Sequence, residues 1–160
     1  MPRRRPGALR AERSRPEGFP ASGHLPGLSH RTTLAVRDVE RRSEEYYVRP
    51  GATALALRRY RVFLTRSGRR PLYPRSVGCS CAECAFQDVR HSRDVLEWTL
   101  ERLRRRSRGE LERLVTALDA VYLKRTLPDP FAARRPPSSQ LRGPRPDPWW
   151  YDRLSEPPGW

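Results

Sequence analysis

Three cysteines stand within six residues, Cys79-Ser80-Cys81-Ala82-Glu83-Cys84, and this C-x-C-x-x-C run is the densest concentration of reactive side chains in the chain. Thiolates this close can share one soft or borderline cation, and tetrahedral zinc then asks for a fourth ligand such as an imidazole. His91 is the nearest histidine. A continuous helix from Cys84 would put His91 about 10.5 Å further along its axis, too far for metal bonds of about 2.0–2.3 Å, and would favour Asp88. A helix starting near Asp88 instead leaves the cysteines in a knuckle loop that can fold back onto His91, and this arrangement is preferred. The expected site is thus Cys79, Cys81, Cys84 and His91 around a structural zinc. Two other readings stay open: three ordinary thiols, or redox chemistry at Cys81-Ala82-Glu83-Cys84, whose pKa a helix N-terminus would lower. The βαβ context that supports the redox reading elsewhere is missing.

Arginine is the second chemical feature. The formal charge is +15 and Lys124 is the only lysine among 33 basic residues, a bias that a G+C-rich genome also produces. Net charge falls along the chain, from +6 over residues 1–37 through +5 (38–85) and +3 (86–125) to +1 (126–160). Arg58, Arg59, Arg61, Arg69, Arg70 and Arg75 alternate with Tyr60, Phe63 and Tyr73, a mixture that suits phosphate contact and base stacking. It suits a solvated surface equally. There is no helix-turn-helix spacing, RNP-like aromatic pair or glycine-rich phosphate loop.

A third group, Trp149, Trp150 and Tyr151, follows a Pro-rich stretch. Such rings either return to cover the domain or anchor a protein partner, and covering is the favoured role. G-x-S-x-G, H-E-x-x-H and P-loop patterns are all missing, so a non-enzymatic binding or scaffolding protein is expected, with no small-molecule substrate implied. A protein-interaction adapter built on the hairpin and the aromatic tail is the first alternative, and a thiol redox protein the second.

The elements that must position these groups are helical. Residues 1–31 are rich in Arg, Pro, Gly and Ser, and a disordered basic arm is expected there. Residues 32–131 should form a small, mainly α domain, and 132–160 a Pro-rich linker with the aromatic tail. Within the domain, Thr32 to Tyr47 gives conflicting signals, a short strand around Leu34 and Val36 or an exposed helix from Asp38 to Glu45. Ala52, Leu55, Ala56, Tyr60, Phe63 and Leu64 recur at helical spacing and favour a helix from Ala52 to Thr65 over a strand of Tyr60, Val62 and Leu64. Val89, Leu96, Leu100 and Leu103 make one stripe of a helix over Gln87 to Arg106. Ser107 and Glu110 match a capping box, which starts the next helix near Arg108 with Leu111, Leu114, Val115, Leu118, Val121 and Tyr122 inward. The short link predicts an antiparallel hairpin. His91 and Trp98 share another face of the first hairpin helix, with Trp98 expected to be covered by a neighbouring element. No run approaches the ~20 apolar residues of a membrane span, and no secretory leader is visible, so a cytoplasmic location is expected.

Overall fold

The computed structural model describes residues 23–77, 81–135 and 147–156. Helix α1 is His30–Arg41, α2 is Ala52–Leu64, α3 is the single turn Ala82–Ala85, α4 is Val89–Arg102 and α5 is Arg105–Arg125, with 3₁₀ turns at Ala132–Arg134 and Trp149–Tyr151. The protein is mainly helical; among the described residues there are no strands, only isolated bridges pairing Arg75 with Glu156 and Pro128 with Arg153. No helix among them is long and apolar enough to cross a membrane.

Helix α1 begins within the segment expected to be disordered. Ser29 supplies its N-cap, accepting the Thr32 N–H at 3.2 Å, and Leu25 and Leu28 ahead of it are buried. A strand over Leu34 and Val36 does not form. Thr32, Thr33, Val36 and Glu40 lie on the buried face, so this helix packs inward with mostly polar side chains. The Glu40 carboxylate, 2% exposed, accepts the backbone N–H groups of Gly51 at 2.8 Å and Thr53 at 2.7 Å. It thereby caps α2, whose own N-cap residue, Gly51 at φ 94, has no side chain to do so. The N-terminus of α1 is served in the same way from a distance. Glu110 of α5 accepts both the Ser29 N–H at 3.0 Å and its hydroxyl at 3.1 Å, and these bonds lower the Glu110 pKa.

Helix α2 matches the expected apolar stripe, with Ala52, Leu55, Ala56, Tyr60, Phe63 and Leu64 all buried. Its most extensive packing is against α4 rather than a packing of α4 mainly on α5. Small side chains allow that contact, and the Thr53 and Thr99 hydroxyls meet there at 3.1 Å. Arg125 closes the other end of α2, donating to the carbonyls of Leu64, Arg66 and Gly68.

Helix α4 is the centre of the fold, since eleven of its fourteen residues are buried. The Asp88 carboxylate caps it by accepting the Arg90 N–H. It ends at Arg102, and α5 starts at Arg105 after the extended Leu103 and Arg104. The Ser107–Glu110 capping box is therefore corrected: Arg104 is the N-cap, Ser107 is buried inside the first turn, and Glu110 serves α1. On α5, Leu111, Val115 and Tyr122 are buried and Leu114 and Leu118 partly so, whereas Val121 is exposed.

The C-terminal segment returns to the domain. Leu154 donates its N–H to Leu127 and Glu156 donates to Pro74, while Asp129 donates to Asp152. These bonds hold Trp150 and Tyr151 against α4.

Candidate functional site

Cys79 lies outside the described residues. Cys81 and Cys84 are both half-buried at the ends of the α3 turn. Cys81 is its N-cap, and its sulfur accepts the Cys84 N–H at 3.4 Å. No three His, Cys, Asp or Glu side chains gather into a metal-holding group among the described residues. His91 does not join Cys81 and Cys84 in such a group; its ring is packed edge-on between Tyr47, 4.9 Å away between centroids, and Phe86, 5.1 Å away. Asp88, the other candidate, is fully engaged with Arg90. Burial drives the His91 pKa down to about 4, so the imidazole is neutral at pH 7, and its Nε2 has no hydrogen-bond partner. A cavity of about 60 Å³ beside it is lined by Ser76, Val77, Ala85, Asp88, Arg90 and Tyr151.

The aromatic tail is spent on the interior of the protein. Asp94 accepts the Trp150 indole N–H at 2.9 Å and the Tyr151 hydroxyl at 2.7 Å. Arg90 lies over the Tyr151 ring at 4.9 Å and Arg93 over the Trp150 ring at 4.3 Å. Burial opposes the charge on each arginine, yet the carboxylates beside them, Asp88 for Arg90 and Asp119 with Glu97 for Arg93, hold both pKa values above the ordinary range. The Tyr60 hydroxyl completes the second cluster, donating to Asp119 at 2.7 Å. Burial together with the neighbouring carboxylates pushes the phenols of Tyr60 and Tyr151 far up. Arg90 and Arg93 are each paired with a carboxylate, Asp94 is held by two neutral donors from the tail, and the phenols stay protonated, so this layer joins the tail to the core. Of the three tail rings, Trp150 and Tyr151 are buried, and Trp149 is partly open at 37%, edge-on to Tyr122. Sequence reasoning missed the charged layer; the signal for it was the pair of carboxylates Asp88 and Asp94 interleaved with Arg90 and Arg93 at the start of a helix that carries apolar residues on more than one face.

The sequence-predicted arginines are arranged differently. Arg58, Arg59, Arg69, Arg70 and Arg75 are exposed, and their side chains make no ion pair or hydrogen bond among the described residues. Arg61 is set apart, half-buried and donating to the Pro26 carbonyl. Arg66, overlooked by the sequence reading, belongs with the exposed set and lies over the Phe63 ring at 5.5 Å. Val62 and Tyr73 are exposed in the same stretch. Lys124 and Arg125 border it from the end of α5, since Arg125 binds the carbonyls at the close of α2. The fold brings acids to this stretch from elsewhere: Glu40 accepts the N–H groups of Gly51 and Thr53, Asp119 accepts the Tyr60 hydroxyl and is paired with Arg93, and the Glu156 backbone bonds Pro74.

The sequence from Tyr46 to Ala82 contains no Asp or Glu at all, yet carries eight arginines. A preference for G+C-rich codons replaces lysine with arginine, but it does not remove acids. With an effective dielectric near that of the surface, eight uncompensated guanidinium groups generate a field that attracts phosphate and repels other cations. Comparison of the chain with protein-family profiles, with curated proteins and with solved structures finds no match.

Proposed function

We propose that the protein is a small, non-enzymatic nucleic-acid-binding protein that grips the phosphate backbone with the face formed by α2 and residues 66–75. One observation carries this reading: a stretch of eight arginines and no acid, with Arg58, Arg59, Arg66, Arg69, Arg70 and Arg75 all exposed. Six phosphate contacts correspond to a slope of about −5 in log K against log salt on a duplex, and about −4 on a single strand. Contacts to phosphate carry no base information, so the binding is expected to be indifferent to sequence. Val62 and Tyr73 offer rings and apolar surface to unstacked bases, which favours the single strand.

The test is titration of fluorescent 20-mers, single- and double-stranded, at several salt concentrations. An Arg58→Gln/Arg59→Gln variant should lower the slope by about 2 while leaving the melting temperature unchanged. A wild-type protein that fails to bind at 50 mM salt, or a variant with an unaltered slope, would overturn the proposal.

A structural metal on the thiols is a second reading, supported by the closeness of Cys81 and Cys84 at the α3 turn, where the Cys81 sulfur accepts the Cys84 N–H. Elemental analysis decides it. One zinc per chain, lost in Cys84→Ser, supports the reading, and a metal content far below one removes it.

A further inference from the structure

A groove of about 730 Å³ opens where the end of α4, the start of α5 and one side of α1 meet. It lies away from the basic segment that follows α2: α5 is 21 residues long, so its first turn stands about 30 Å from its Arg125 end, where the carbonyls of Leu64, Arg66 and Gly68 are bound. Four independent features converge on the groove. Helix α5 has no side-chain cap and no acid in its first turn, and the backbone N–H groups of Arg105, Arg106 and Ser107 make no hydrogen bond. Arg31, Arg104 and Arg106 line it with side chains that make no ion pair or hydrogen bond among the described residues. Ser107 is 6% exposed and lines the groove, and its hydroxyl, which keeps contact with solvent, makes no hydrogen bond among the described residues. The indole N–H of Trp98, a residue 8% exposed in the same wall, is buried and likewise unpartnered.

Buried polar groups are ordinarily matched, so the unmatched indole N–H of Trp98 in this wall, beside an uncapped helix N-terminus, points to an absent acceptor. The remaining charges refine its nature. Asp38 is already neutralised by Arg41 and Arg42, while Glu44 and Glu45 also line the groove and supply acceptors. We propose that this groove binds a phosphomonoester of nucleotide size. Its phosphate lies against the first turn of α5, between Arg104, Arg106 and the Ser107 hydroxyl, and its hydroxyl or amino donors face Glu44 and Glu45. The volume suits such a ligand, since small-molecule sites span about 300–1,000 Å³. A helix N-terminus and arginine together recognise the dianionic end of a monoester better than the single charge of a phosphodiester. Two sources present that chemistry, a free nucleotide and the 5′-phosphorylated end of a strand.

The experiment uses the full chain labelled with ¹⁵N and titrated with inorganic phosphate, adenosine 5′-monophosphate and adenosine. Both phosphate compounds should shift the amides of Arg105, Arg106 and Ser107 and the Trp98 indole N–H in a saturable way, with the nucleotide binding about tenfold more tightly. Adenosine alone should not. Arg104→Gln/Arg106→Gln, which alters only exposed side chains, should weaken the nucleotide by about tenfold, and Ser107→Ala by about threefold, with unchanged thermal melts. Oligonucleotides with and without a 5′-phosphate separate the two sources: a preference for the phosphorylated end assigns the strand, and equal binding assigns the free nucleotide. Shifts spread evenly over Arg58 to Arg75, adenosine binding as well as its phosphate, or equal weakening by Arg58→Gln/Arg59→Gln would overturn the site. The last variant also keeps the two proposals apart, because it should reduce oligonucleotide binding without touching the nucleotide.

Discussion

Arg90 and Arg93 on α4 and Arg58 and Arg59 on α2 are the same side chain in opposite circumstances. The first pair is buried, with a carboxylate in hydrogen-bond contact and an aromatic ring against each guanidinium. The second is exposed and without partners of either kind among the described residues. A buried cation left alone costs several kcal/mol, so the interior arginines are tolerated only because Asp88, Asp119, Glu97 and the tail rings are all in place. An exposed one costs little to leave unpaired and keeps its charge available for a ligand. Arginine content therefore divides into a structural part and a part that can act on other molecules, and net charge alone does not separate them.

The sharpest way to break this contrast is to remove the tail. Ending the chain after Pro148 takes away Trp150 and Tyr151, which strips the rings from Arg90 and Arg93 and leaves Asp94 without two donors. Loss of two buried aromatic side chains is expected to cost at least about 5 kcal/mol, comparable with the whole stability of a small domain. Calorimetry of the truncated chain should show no cooperative transition at 37 °C; a normal melt would mean that the buried arginines do not need their cover.

Smaller, and more selective, is Arg93→Ala. It strands Asp119 and should destabilise by about 3–5 kcal/mol in urea unfolding, while oligonucleotide binding by the folded fraction stays as in the parent. The Arg58→Gln/Arg59→Gln pair should behave in the reverse sense, with stability changed by no more than about 0.5 kcal/mol. Equal effects of the two on both measurements would erase the distinction.

The last effect is a pH dependence centred on His91. Its folded pKa lies at about 4 because of burial, whereas an unfolded histidine takes up its proton near 6.5. The unfolded state thus binds more protons as the pH drops through this window. Stability should fall by roughly 3 kcal/mol between pH 6.5 and 4, and be flat above it. Asp88, Arg90 and Tyr151 share the small cavity with His91, and Tyr47 and Phe86 flank its ring. Because carboxylates also titrate toward the acid end, the diagnostic range is pH 6.5 to 5. There, a His91→Phe variant should lose the slope seen in denaturant titrations of the parent.

What could be read in the sequence follows from which side chains each element buries. Helix α2 was plain because it buries a conventional apolar stripe, from Ala52 and Leu55 to Phe63 and Leu64. Helix α1 was obscured because its inward face is Thr32, Thr33, Val36 and Glu40, which carries almost no hydrophobic period. The Ser107–Glu110 pattern satisfied a local rule, but Glu110 binds Ser29, 81 residues away, and a local rule cannot register a distant partner. The stripe of Val89, Leu96, Leu100 and Leu103 does not include Asp94, and periodicity gave no sign that this carboxylate would be 2% exposed beneath the tail. For the candidate nucleic-acid face, Arg58, Arg59, Arg69, Arg70 and Arg75 were legible, while the decisive lack of acids was hidden by averaging over residues 38–85. The groove at the start of α5 was invisible, since Arg31 and Arg104 meet only through the fold.

The two distant carboxylate caps also set a direction for assembly. Glu110 completes the beginning of α1, and Glu40 near the end of α1 completes the beginning of α2. A nascent chain that has emerged only as far as residue 104 therefore holds its first helix without the acceptor at Ser29, so α1 frays until α5 is synthesised. Completion of α1 on the ribosome is expected to wait for that late segment, and amide exchange in a fragment of residues 1–104 should find the start of α1 less protected than the start of α2, whose acceptor Glu40 is already present.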